Sequence, residues 1–256
     1  MERTSGRPEV KVAVIDGAVD RNHPALANTR IQEIGGTRGA ASAHGTFIAG
    51  MLREICPSCT LLIRPVLGAG AVELALAVAE CVKAGAKVLN LSVQMTGSAP
   101  EAALALRQAL DSAVGRGAVV VAAAGNQGTL SGSPITSHPG VIPVSACDGA
   151  GRLLGSSNLG LSAGRRGLCA PGDGVHGLAP GGKTAWMRGT SAATPFVSAA
   201  AALLWSEFPE VGANEIRLAL LGGGRRRTTV NPPMLDASAA WRFLKSTPGW
   251  HHHAKV

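Results

Sequence analysis

The sequence predicts an α/β fold in which a parallel sheet is covered by helices on both faces. Two observations predict it. Short, nearly all-apolar runs of strand length alternate with longer segments of helical spacing, and glycines fall where those helices should stop. VKVAVID (10–16) and TLLIRPVL (60–67) read as strands whose uninterrupted apolar character suits burial on both sides. AVELALAVAECVKAG (71–85) has helical spacing and stops at Gly85, and AKVLNLSV (86–93) is the next strand. PEAALALRQALDSAVGRG (100–117) repeats the pattern, ending at Gly117 before the strand AVVVAAAGN (118–126). GVIPVSACD (140–148) is a further strand. The Gly/Ser-rich stretch 149–182 reads as loop with one short strand around RRGLCAPG. Helices over 190–208, 213–222 and 236–246 close the chain, and there is no internal repeat.

At 256 residues the chain has ample material for one core, so the expected organisation is a short extension (1–9), one domain (10–246) and a flexible tail (247–256). Although 46% of residues are hydrophobic, no run reaches the roughly 18 apolar residues of a membrane span, so no membrane partner is expected. The start, MERTSGRPEVKVAVID, passes from charged residues straight into a core strand with no apolar signal stretch, which points to the cytoplasm. Net charge is +8, but the one compact basic run, Arg225-Arg226-Arg227, has no interleaved aromatics and Tyr is absent, so nucleic acid is not an expected partner. Five cysteines are an odd number, unsuited to a fully paired secreted framework. CPSC (56–59) could hold zinc or cycle as a dithiol, yet no second CxxC or His pair accompanies it; a buried or locally paired turn is the plainer account. The terminal HHHAKV reads as a disordered tail rather than a metal tract. No cofactor and no metal site is implied.

In parallel α/β sheets reactive groups gather at the carboxyl ends of strands. Asp16 ends the first strand, Asn126 ends another in VAAAGNQG, and His44 opens the helical HGTFIAG. Ser191, in RGTSAATP, sits where a helix begins, with Pro195 read as part of its first turn. Acyl transfer needs these four parts: a nucleophile, an imidazole to take its proton, a carboxylate to hold the imidazole tautomer, and an amide to stabilise the oxyanion. Each also has a plain reading, as a helix cap, a helix-start histidine or an Asn-Gln-Gly turn. Their combination and order favour chemistry.

VIDGAVDRNHP, HGTFIAG, VAAAGN and GTSAATPFVSAAAALL resemble the subtilisin-like serine proteases (the S8 family), in that family's Asp, His, Asn, Ser order over about residues 10–206. The resemblance implies a three-layer fold with a sheet of about seven strands. It implies that Asp16 orients His44, that His44 serves as general base and then acid, and that Ser191 attacks the peptide carbonyl. The Asn126 side chain and the Ser191 backbone N–H would form the oxyanion hole. Ser92, Val93, Gln94, Ala123, Ala124 and Gly125 would line the substrate pocket. Within the family, DGAVDRNHP, CPSCTLLIRPV and LAPGGKTAWMRGTSAATP follow the pattern of cyanobactin-type peptide-maturation proteases, with Ala18 where those carry proline. Such enzymes act on ribosomally made precursor peptides, so the expected partner is a peptide or protein substrate, and leader cleavage is the expected reaction.

The chain departs from the secreted members in several places. NLSVQMTG puts Val93 and Gln94 where those carry Gly-Gly, and Phe47 replaces a histidine three residues after His44. The segment from His44 to Pro65 is too short for their calcium loop, so no calcium requirement is expected. Two other readings compete. A peptide-binding pseudoenzyme should lack a catalytic residue, and none is lacking. A transpeptidase that closes rings would need an inserted cap between Asp16 and His44, and the gap of 44 − 16 = 28 positions is too short for one.

Overall fold

In the computed structural model, which describes residues 4–35, 39–66, 70–93, 95, 99–222 and 228–247, the first apolar run forms β1 (Lys11–Asp16). A 3-10 turn at Pro24–Leu26 and a short β2 (Ile31–Glu33) lead to α1 (Ala43–Ile55), β3 (Thr60–Pro65) and α2 (Ala71–Lys83). Then come β4 (Val88–Leu91), α3 (Pro100–Gly115), β5 (Val119–Ala123) and β6 (Val141–Cys147). The chain continues through α4 (Leu161–Arg166), β7 (Leu168–Pro171), β8 (Val175–Ala179) and β9 (Lys183–Met187), and ends in α5 (Thr190–Glu207), α6 (Ala213–Leu220) and α7 (Ala237–Ser246). Gln94, the run Arg225-Arg226-Arg227 and the histidines of the tail lie outside the described residues.

β1 to β7 form one parallel sheet in the order β2-β3-β1-β4-β5-β6-β7, a subtilisin-like arrangement with helices on both faces. Strand alternation divides the core in two. Val12 and Val14 of β1 join α1, α5, α6 and α7 on one face, whereas Ala13 and Ile15 join α2 and α3 on the other. Because each strand must satisfy both layers, it reads as an unbroken apolar run. α5 is apolar nearly all round and buried along most of its length, as expected of a helix with neighbours on every side. Within the sheet Arg64 is a buried cation: 1% exposed, it reaches the α2 side, where Glu73 accepts from Nη1 at 2.8 Å and Glu80 accepts from Nε. The buried charge is therefore paired rather than orphaned.

Three elements differ from the sequence reading. β2 carries a single apolar residue at an exposed edge, too little to register as a strand. The stretch 149–182 holds α4 and β8 as well as loop, and β8 pairs antiparallel with β9 across Pro180-Gly181-Gly182. A half-exposed hairpin has neither the unbroken apolar run nor the clean alternation that marks a strand. Finally, α5 starts at Thr190, so Pro195 falls in the second turn and not the first.

The sheet order reverses at β1: β2 and β3 lie to one side of it, and β4 onward to the other. A crevice opens at the carboxyl ends of strands where such an order switches. Asp16, at the end of β1, and Ser92, just after β4, stand at that point.

Candidate active site

β1 delivers Asp16 to the crevice almost fully buried, at 2% exposure. Its Oδ1 accepts from the Gly17 N–H and from His44 Nδ1, both at 2.7 Å. An ionised carboxylate can only accept, so Nδ1 carries the proton and Nε2 of a neutral His44 is left with its lone pair. His44 is the second residue of α1, whose N-cap Ser42 accepts from the Gly45 N–H at 3.1 Å. The start of α1 can press against the end of β1 only because residue 45 has no side chain: a Cβ there would stand 2.1 Å from the Gly17 carbonyl oxygen. This close approach is what brings His44 to Asp16.

Ser191 is the second residue of α5, behind an N-cap glycine at φ +123°. Gly189 is required twice over, because that backbone angle is unfavourable for other residues and a Cβ would stand 2.8 Å from Asn126 Oδ1. Asn126 follows β5 and is turned by α5 itself: its Oδ1 accepts from the Thr190 N–H at 2.9 Å and the Thr190 hydroxyl at 3.2 Å. A backbone N–H demands an acceptor, so Oδ1 must face Thr190 and Nδ2 is the half of the amide left for the crevice. The Thr190 hydroxyl in turn accepts from the Gly125 N–H at 3.1 Å.

Pro195 has a consequence the sequence did not disclose. Four residues after Ser191, it lacks the N–H that would bond the Ser191 carbonyl in a regular helix. The Ser92 hydroxyl donates to that carbonyl instead, at 3.3 Å, while the Ser191 hydroxyl donates to the Ser92 carbonyl at 3.3 Å. Ser92 is held in turn by Asn90 Nδ2 at 3.0 Å, and Asn90 Oδ1 accepts from the Ser198 hydroxyl at 2.8 Å. A buried polar chain thus ties the end of β4 to the first and third turns of α5. Ser92 is in this sense a positioning residue, a role for which the proline in GTSAATP was the available signal.

Asp16, His44, Asn126 and Ser191 all line one cleft of about 460 Å³, together with Ser92, Val93, Ala123, Ala124 and Gly125. Only Gln94 of the expected lining residues falls outside the described residues. The His44 imidazole is 38% exposed. Burial pulls its pKa down, but the hydrogen bond to Asp16 and the carboxylate charge outweigh that, and the net shift is upward from 6.5. The arrangement offers a hydroxyl at a helix N-terminus, an imidazole with a lone pair, a buried carboxylate behind it and an amide donor. Among the described residues no group of three or more His, Cys, Asp or Glu side chains is placed to hold a metal ion, and no helix is long and apolar enough to cross a membrane. Cys56, which caps the end of α1, and Cys59 are buried free thiols, as are the other three cysteines.

The subtilase family model (Peptidase_S8) matches residues 7–231. Subtilisin amylosacchariticus of Bacillus subtilis subsp. amylosacchariticus is 33% identical over 222 residues, covering 78% of this chain and 56% of that protein, so the chain spans little more than half the length of that relative. Two maturation proteases, the group whose motif pattern this sequence follows, share the structure. The prenylagaramide maturation protease PagA superposes with a TM-score of 0.84 at 29% identity, covering 94% of this chain and 96% of its own. The protease domain of PatA superposes with a TM-score of 0.85 at 31% identity, covering 96% and 98%. With the family model spanning most of the chain and the sheet, cleft and helix termini arranged as described, this protein belongs to the subtilase family.

Proposed function

We propose that this chain is a serine endopeptidase that works through an acyl-enzyme, with residues 10–246 as its peptidase unit and Asp16, His44 and Ser191 as its triad. The observation that carries the proposal is the 2.7 Å bond from His44 Nδ1 to a buried Asp16, made in the same cleft that Ser191 and Asn126 line. His44 Nε2 takes the proton of the Ser191 hydroxyl as Oγ attacks the carbonyl carbon, then gives it to the departing amine. The carbonyl oxygen, now anionic, meets Asn126 Nδ2 and the Ser191 backbone N–H at the start of α5, where the helix dipole also favours negative charge. In the structure the Ser191 hydroxyl rests on the Ser92 carbonyl; such loose geometry is ordinary before substrate enters. Asn126→Ala is expected to lower kcat by about 100- to 1,000-fold with KM little changed, a magnitude known for one oxyanion donor of subtilisin. Steady-state kinetics on a cleaved peptide checks it.

The substrate class we propose is a ribosomally made precursor peptide, from which the enzyme removes a leader. The likeness to the maturation proteases PagA and PatA supports that reading. Hydrolysis rather than ring closure is the proposed outcome, because His44 follows Asp16 by only 28 positions, a span that already supplies the Pro24–Leu26 turn and the edge strand β2. Ring closure needs a surface that keeps water from the acyl-enzyme. Cleavage of a precursor-like peptide in ¹⁸O-labelled water should therefore place the label in the new C-terminal carboxylate of a linear product. Mass spectrometry finding mostly cyclic, unlabelled product would replace this reading with that of a transpeptidase.

A further inference from the structure

CPSC (56–59) takes no part in peptide cleavage, yet the fold arranges its two thiols as a pair. Cys56 is the C-cap of α1, and the Cys59 N–H donates back to the Cys56 carbonyl at 3.1 Å. A turn closed in this way between positions i and i+3 keeps their Cα atoms within about 7 Å, the separation that a disulfide spans. Both cysteines are 1% exposed, because the segment that precedes β1 lies across them. The Ser58 N–H donates to the Ser5 carbonyl at 2.9 Å and the Thr60 hydroxyl to the Pro8 carbonyl at 2.7 Å. Gly6 rests against the pair so closely that a Cβ there would stand 2.5 Å from Cys59 Sγ and 3.6 Å from Cys56 Cβ.

The two thiols are not equivalent. Cys56 stands at the carboxyl end of a helix, where the dipole disfavours negative charge, and its proton is attracted both by the Leu52 carbonyl, at 3.2 Å, and by the Cys59 sulfur. That hydrogen bond, burial and the charge on Cys59 push the Cys56 pKa well above 9.0. The Cys59 pKa is lowered from 9.0: the hydrogen bond from Cys56 holds its thiolate, burial opposes, and the Arg7 backbone N–H adds support. The other cysteines differ. Burial pushes Cys81 and Cys169 up to about 12 and raises Cys147 as well. Cys147 and Cys169 sit on neighbouring strands but not opposite one another, since Cys147 pairs with Pro171 and Cys169 with Ser145. Among the described residues no third His, Cys, Asp or Glu joins Cys56 and Cys59 in a metal-binding group.

We infer that Cys56 and Cys59 form a reversible oxidation site, at which a small hydroperoxide converts the dithiol into a disulfide within the turn. The Cys59 thiolate attacks one peroxide oxygen and the O–O bond breaks, giving a sulfenic acid on Cys59 and a hydroxide that takes up the proton Cys59 released. Cys56 Sγ then attacks the Cys59 sulfur. The S–O bond breaks, and the departing hydroxide leaves as water with the proton of Cys56. Two thiols and one hydrogen peroxide thus give one disulfide and two waters, the peroxide taking the two electrons that the pair loses. A dithiol reductant reverses the change by thiol–disulfide exchange. A hydroperoxide barely larger than water suits a pair that a chain segment covers. The inference does not rest on the protease reading.

The test exposes the reduced full chain to stoichiometric hydrogen peroxide, alkylates the remaining thiols in denaturant and maps them by mass spectrometry. Trypsin releases both cysteines in one peptide, 54–64. That peptide should lose two hydrogens and escape alkylation, while Cys81, Cys147 and Cys169 are alkylated; dithiothreitol should restore alkylation at Cys56 and Cys59. In Cys56→Ser the sulfenic acid has no partner and should be trapped on Cys59 by dimedone. In Cys59→Ser, Cys56 should react at least about 10-fold more slowly than Cys59 does in Cys56→Ser, since each pKa unit is a tenfold change in thiolate. Far-UV circular dichroism reports that the variants are folded, and the wild-type map decides by itself if one is not. Peptide 54–64 still fully alkylated after peroxide, or a disulfide formed between Cys147 and Cys169 in its place, overturns the inference. Equal rates in the two folded variants overturn the assignment of Cys59 as the attacking thiol.

Discussion

Ser191→Ala is expected to reduce kcat by about 10⁶-fold, His44→Ala by a similar factor, and the double variant by no more than either one, magnitudes carried over from subtilisin. The non-additivity follows from the chemistry. Without His44 the hydroxyl keeps its proton, and without the hydroxyl the imidazole has nothing to activate, so each loss already removes the whole unit. Residual turnover should depend on Asn126 and the α5 N-terminus, which neither change touches. Single-turnover kinetics with a peptide substrate measures all three variants. Losses that multiply in the double variant, or peptidase activity in Ser191→Ala equal to wild type, would remove Ser191 and His44 from the mechanism.

Asp16→Asn should lower kcat by about 10⁴-fold and also displace the pH profile. His44 must be neutral to accept the serine proton, and its pKa is raised from 6.5, so wild-type kcat/KM should climb with pH along an acid limb whose midpoint lies above 6.5. The carboxylate's hydrogen bond and charge supply the raising effects, against burial, which lowers. Removing the charge leaves burial to act alone, and the limb should move to lower pH. An asparagine can also present an N–H to Nδ1, which favours the wrong tautomer and accounts for the fall in rate. For stability the sign is reversed. The folded state favours the protonated imidazole, so that contribution is complete below about 6.5 and lost as pH rises through the raised value. An acid limb in Asp16→Asn that coincides with wild type would show that Asp16 does not set the basicity of His44.

The four proposed reacting groups were legible in the sequence because each stands beside a strong local signal. Asp16 closes an apolar run, Asn126 closes another, and His44 and Ser191 each lie at the beginning of a helix. Five of the seven strands in the parallel sheet were legible for the same reason, since burial on both faces leaves a nearly all-apolar run, and β7 was read only as one short strand within a Gly/Ser-rich stretch. β2 and the β8–β9 hairpin were not, because an exposed edge and a half-exposed ribbon place weak demands on their residues. The loop assignment of 149–182 was in part wrong on that account.

By itself, then, the sequence determined the layered parallel architecture and the family, and it singled out the residues proposed here as the reacting groups. Each of these follows from the period of apolar residues or from short motifs read along the chain. The tertiary structure alone decided how those groups are aimed. The Ser92 hydroxyl replaces the N–H that Pro195 lacks, and Thr190 turns the Asn126 amide. The physical reason is that a carboxamide or a hydroxyl can present either a donor or an acceptor, and which one it presents depends on partners that only the crossing of distant segments supplies.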